Sequence, residues 1–179
     1  FGPRAPGTAA HKACADWLEE KLKEYGAEVI VQKSEVVASL GGKVPMYNII
    51  GAINPTASKR ILLAAHWDTR LMADQDEDET KKKEPIDGAN DGGSGVGVLL
   101  EIARQLSLKP LQNVGVDIVL FDVEDQGLSD TEDTYCLGSQ YWSKNLHKPN
   151  YTAEFGILLD MVGAGDALFY QEYYSLQYA

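Results

Sequence analysis

Residues 61–68, ILLAAHWD, and residues 114–125, VGVDIVLFDVED, are two mostly apolar runs that each break off into chemistry-bearing side chains. Runs of this kind form strands of a central sheet covered on both faces, where no side is kept polar for water. Between them, VGVLLEIARQL at 96–106 sets Val96, Leu99, Leu100, Ala103 and Leu106 on one helical face. Strand, helix, strand in that order predicts an α/β sheet with parallel pairing, and a third run, Phe155 to Leu159, extends it.

Earlier in the chain, HKACADWLEEKLKEY at 11–25 predicts a helix whose apolar face carries Ala13, Trp17, Leu18, Leu22 and Tyr25, stopped by Gly26. A Val- and Ile-rich strand follows from Glu28 to Val37, then a Gly41-Gly42 turn and a second strand, MYNIIGAI. That pair reads as an antiparallel edge. The whole predicts one domain over residues 1–179, a three-layer α/β/α fold around a mixed, mostly parallel sheet. LFYQEYYSLQYA closes the chain without a cap or polar tail, so the expectation is the N-terminal part of a longer domain.

Composition narrows the function. With 27 acidic against 16 basic residues, the net charge of −11 speaks against nucleic acid or an anionic membrane as partner. No apolar run reaches the roughly 18 residues a membrane span requires, and no signal peptide is visible. Cys14 and Cys136 make neither a disulfide framework nor a thiolate zinc cluster, and both read as inert thiols. The charged run DQDEDETKKKE at 74–84 reads as a solvated loop, since its spacing does not fit the EF-hand calcium pattern.

The acids stand at telling places. His66 and Asp68 end one apolar strand, Glu124 and Asp125 another, and Asp160 a third, while Asp91 precedes the helix that opens near Ser94. Ligands of open α/β sheets sit beyond the carboxyl ends of strands, so one crevice can receive them all. Carboxylates and imidazole are zinc ligands, and without a cation such a cluster repels itself. Ser94 reads as the cap of its helix, Trp67 as packing, and His11 as the opening of an ordinary helix; His147 lies in a polar loop.

These segments, with FGPRAPGT at 1–8, HWDTR at 66–70, PIDGANDGGSGVGVLLEIARQL at 85–106, VLFDVEDQG at 119–127, YCLGSQYW and FGILLDMVGAG, resemble the zinc-dependent aminopeptidase family M28, and within it the bacterial glutaminyl-peptide cyclotransferases. In the one-zinc cyclotransferases, the resemblance implies Asp91, Asp125 and a histidine beyond residue 179 as zinc ligands, Glu124 as the proton shuttle, Asp160 in a hydrogen-bonded acid network, and Asp68 as an orienting residue. In the two-zinc aminopeptidases, His66 and Asp160 join Asp91 as ligands of one metal and Glu124 becomes the general base for water.

The leading expectation is an enzyme that cyclises N-terminal glutamine of peptides to pyroglutamate with release of ammonia. Glu124-Asp125 in place of two glutamates, the LLDMVGAG segment and the insertion from Leu71 to Glu84 favour it. An exopeptidase removing N-terminal residues is the alternative, since a tryptophan that animal cyclotransferases carry after the paired acids is missing here. A noncatalytic binding module is a third reading, and it would tolerate loss of Glu124. A monomer is expected, and the resemblance further implies action on peptide or protein N-termini and a periplasmic or secreted location, with or without a lipid anchor.

Overall fold

The computed structural model describes residues 1–131, 133–169 and 175–178; residues 170–174 and 179 of the closing aromatic stretch lie outside the described residues. Five strands, β1 (Glu28–Ala38), β2 (Gly42–Ile53), β3 (Lys59–His66), β4 (Val114–Phe121) and β5 (Phe155–Leu158), form one sheet in the order β1-β2-β4-β3-β5. Pairing is antiparallel between β1 and β2 and between β2 and β4. It is parallel where β3 lies between β4 and β5. The sheet is mixed as expected, with its parallel part in β4, β3 and β5 and the early hairpin at its antiparallel edge.

Side chains alternate across each strand and so pack on both faces of the sheet. On one face, Leu63 and Ala65 of β3 and Ile118 and Leu120 of β4 meet helices α1 (Ala9–Glu24) and α2 (Gly93–Leu108) through Leu18, Leu22, Leu99 and Ala103. On the other, Ile50, Ala64, Val119 and Phe121 pack against Trp142 of α3 (Leu137–Lys144). Helices therefore cover both faces, which makes the three layers. A short α4 (Ser175–Tyr178) follows. Each fully buried leucine of the larger core contributes about 2 kcal/mol.

Asp117, the charged interruption in the β4 run, is answered by Arg60 of β3, whose Nε and Nη2 donate to its two oxygens at 2.8 and 2.5 Å. A buried carboxylate is tolerated there because the fork matches both of its oxygens.

Three local expectations are corrected. The buried face of α1 is His11, Cys14, Ala15, Leu18 and Leu22, while Ala13 is exposed and Trp17 lies at the surface against Phe1. With His11 turned inward to Asp122, the buried stripe runs through Cys14, Ala15, Leu18 and Leu22, which leaves Trp17 at its margin. His11 is not an ordinary helix opener, since it is wholly buried. Ser94 does not cap α2: Gly92 holds that position, and the Ser94 hydroxyl donates to the carbonyl of Asn90 at 2.6 Å and accepts from Val162 N at 3.0 Å.

Candidate metal and catalytic site

Parallel pairing brings the strand ends together. His66 stands opposite Phe121 and Ala64 opposite Leu158, so β3, β4 and β5 release their chains at one end of the sheet. The next backbone bonds, Trp67 N to Phe121 O at 3.0 Å and Leu159 N to Ala64 O at 2.8 Å, carry that alignment past the strands. Asp91 arrives from the loop before α2. Gly92 follows it with φ of 75°, and a Cβ there would come within 3.0 Å of the His66 ring, so glycine is what lets the loop lie against the imidazole.

His66 Nε2 lies 2.7 Å from Asp91 Oδ1 and 3.5 Å from Asp160 Oδ1. Its Nδ1 is buried without a hydrogen bond and faces Asp68 Oδ1 at 3.5 Å. Burial by itself would lower the imidazolium's pKa, but the carboxylates of Asp160, Asp68 and Asp91 around the ring overturn that and push it up to about 12. His66, Asp91 and Asp160 can each turn a ligand atom to within 4.8 Å of the others.

Asp125 stands outside that trio. Its main-chain carbonyl accepts from Arg70 Nη1 at 2.8 Å, and its carboxylate lies 3.7 Å from the same nitrogen. Burial, then repulsion from Asp91, Glu124 and Asp68, raises its pKa to about 7. Glu124 is also raised, by burial first, against the opposing influences of His66 and of Cys136, whose thiol donates to Oε1 at 3.1 Å. The Cys136 thiol is pushed up to about 12 by its own burial and by Glu124, which leaves it a poor nucleophile.

Asp68 is fully buried and organises the neighbouring loop. Its oxygens accept from Glu124 N at 3.0 Å, Asp125 N at 3.5 Å and Gln126 Nε2 at 3.2 Å. Burial opposes its charge, yet His66 and these donors hold the carboxyl below the usual range. Trp67 points away and packs, stacked on His11 with centroids 4.6 Å apart.

His147 is not among these groups. It accepts from Trp142 Nε1 at 3.1 Å and lies against Tyr151 on the α3 side of the sheet. Both cysteines are free thiols. The 71–84 insertion is anchored at its root, where Arg70 Nε and Nη2 donate to Asp74 at 2.5 and 2.8 Å.

Three contributors escape a reading of the sequence. Arg70 ties the insertion to Asp125. Arg4 donates to the carbonyls of Trp67, Asp87 and Gly88 at 2.8, 2.8 and 3.0 Å and so straps the loop of Asp91 to the end of β3. Asp122, wholly buried, accepts from His11 Nε2 at 2.9 Å. Only FDVED hinted at the last, since it has an acid ahead of the paired acids.

Residues 48–177 match Peptidase family M28. The glutaminyl-peptide cyclotransferase of Drosophila melanogaster is 27% identical over 174 residues, covering 94% of this chain and 47% of that protein. The crystal structure of Porphyromonas gingivalis glutaminyl cyclase superposes with a TM-score of 0.96 at 55% identity, covering 100% of this chain and 62% of that one. A Zn-dependent exopeptidase from Parabacteroides distasonis superposes at 0.94 with 54% identity, covering 99% of this chain and 62% of that one. The chain thus spans about half the length of the curated relative and under two thirds of either solved chain.

Proposed function

This chain belongs to peptidase family M28, and from that premise we propose that the whole protein is a zinc-dependent glutaminyl-peptide cyclotransferase, with residues 1–179 as the N-terminal part of its single catalytic domain. The observation that carries the reading is the gathering of His66, Asp91, Glu124, Asp125 and Asp160 around one end of the sheet, in a fold 55% identical to a glutaminyl cyclase. Burial first, and then repulsion from Asp91, Glu124 and Asp68, lift Asp125, and a bound cation offsets both, so the donor set fits zinc.

Asp91 and Asp125 would hold the metal together with a histidine from outside these residues, and Asp160 would stay hydrogen-bonded to His66 in an acid network. Zinc, when bound, polarises the side-chain amide carbonyl of the substrate glutamine and favours the charge developing on its oxygen. Glu124 takes a proton from the substrate's α-amine as its nitrogen bonds to the amide carbon, and returns a proton to the departing nitrogen, which leaves as ammonia. A carboxylate raised by burial suits both halves of that transfer. Asp68 keeps Glu124 and Asp125 in register by holding their main-chain N–H groups.

A two-zinc aminopeptidase is the second reading, favoured by one observation: His66, Asp91 and Asp160 can present ligand atoms within 4.8 Å of one another. Among the described residues no helix is long and apolar enough to cross a membrane. We extend this reading to a monomer with a periplasmic or secreted location, with or without a lipid anchor, the location resting on family resemblance. The deciding experiment gives the zinc-loaded full-length protein a glutaminyl peptide and leucine amide. Pyroglutamate with ammonia is expected; free leucine in its place would transfer the assignment to the aminopeptidase.

A further inference from the structure

We propose that His11 is a positioning residue for Glu124, acting through Asp122 and Val123; the inference rests on the reading of Glu124 as the proton-transferring group. Val123 adopts φ of 50°, a left-handed conformation that a β-branched side chain resists, and it does so fully buried, one residue before Glu124. Such a conformation persists only where its surroundings over-determine it.

They do so here on every side. Asp122 Oδ1 accepts from Val123 N at 2.8 Å, Leu137 N donates to Val123 O at 3.0 Å, and Cys136 N donates to Glu124 O at 2.8 Å. Asp68 takes the Glu124 N–H at 3.0 Å. Of these partners, Asp122 is the one whose own orientation depends on a distant element. Its second oxygen accepts from Tyr47 N at 2.6 Å, and His11 Nε2 lies 2.9 and 3.0 Å from its two oxygens. Nδ1 of His11 faces the N–H of Gly7 at 3.4 Å, which leaves Nε2 as the nitrogen that carries a proton toward Asp122. The His11 ring also stacks on Trp67, between His66 and Asp68 in the chain. One side chain of α1 thus braces the ends of both β3 and β4 from behind, without touching the site.

Full-length, zinc-loaded protein tests this with His11→Leu, which removes the donor but keeps apolar bulk against Trp67, and His11→Gln, which keeps a donor. Expected for His11→Leu is a fall in kcat of about 10- to 100-fold, the scale of a small misplacement of a reacting group, with KM and zinc content little changed. His11→Gln recovers most of the loss. Amide exchange at Val123 and Glu124 should also quicken in the leucine variant, a readout independent of turnover. Should His11→Leu fail to fold, Asp122→Asn, which keeps the shape but sets an NH2 against neighbouring donors, is expected to lower kcat in the same direction. A variant that folds, loses thermal stability, yet keeps both kcat and slow exchange overturns the proposal. If the wild-type protein releases no ammonia, the cyclotransferase reading falls, while the exchange comparison still decides the role of His11.

Discussion

Replacing Asp68 with asparagine keeps the shape of a fully buried side chain but removes its charge beside His66 and changes what it can accept. Glu124 N bonds to Oδ1, and Gln126 Nε2 and Asp125 N address Oδ2. An amide in either orientation therefore turns an NH2 group toward at least one buried N–H. Gln126 cannot turn over to help, because its Oε1 accepts from Leu71 N at 3.2 Å and its Nε2 donates to Thr69 O at 2.7 Å. One unpaired buried donor costs about 1–3 kcal/mol, and loss of charge from the surviving bond adds about 1. Less repulsion toward Glu124 and Asp125 works the other way, but the carboxyl is held below its usual range despite its burial, so the attractive contacts win. The net expectation is a loss of about 2–4 kcal/mol, or roughly 10 °C in Tm for a protein of this size. Urea unfolding of the metal-free full-length protein at pH 7 measures it. A carboxyl with a lowered folded pKa contributes stability above its unfolded value near pH 4 and loses it as pH falls through the folded value. The gap between wild type and variant should therefore close in acid. A gap under about 1 kcal/mol at pH 7, or one that stays constant into acid, would refute the account of Asp68 as the anchor of this loop.

Glu124→Gln should lower kcat at least about 100-fold, the contribution of a positioned acid-base group, with zinc content unchanged; a loss confined to KM would point to binding rather than proton transfer. Zinc binding at pH 6 should release about one proton, because metal-free Asp125, raised to about 7, carries one there and must give it up to ligate the metal. Calorimetry in buffers of differing ionisation enthalpy reads this release, which should shrink by pH 8 as Asp125 ionises; heats that do not depend on the buffer would exclude it. Gly138→Ala should cost about 2–3 kcal/mol and reduce turnover, since an added Cβ would clash with the carbonyl oxygen of Asp122 and lie 2.5 Å from Asn48 Oδ1; wild-type stability by thermal melt would show that the backbone yields more easily than the packing implies.

Much of this arrangement was readable from the chain because its signals are local. The apolar runs of β3, β4 and β5 announce buried strands, and acids placed just beyond them can converge only if those strands are parallel neighbours. What could not be read depends on partners far along the chain. His11 meets Asp122 across 111 positions, Arg4 meets Gly88 across 84, and Arg70 meets Asp125 across 55. A histidine near the start of a helix looks like any other until the fold supplies its carboxylate. The face of α1 differs from its hydrophobic spacing for a related reason: the inward-turned His11 belongs to the buried stripe, and only its distant carboxylate explains that. Ser94 resembled a cap by residue type, but the approach of Gly92 to His66 set where the helix begins.

The place of β4 between β2 and β3 also bears on how the chain acquires its shape during synthesis. The β1–β2 hairpin can close by itself, since its partners are neighbours in sequence. The apolar strand ending at His66 cannot: its first partner begins only at Val114, and the other at Phe155. At about 5–20 residues per second the ribosome takes several seconds to supply β4. For that interval ILLAA is a sticky edge with no mate, so slower elongation between Trp67 and Val114 should lengthen its exposure to aggregation and its dependence on chaperones.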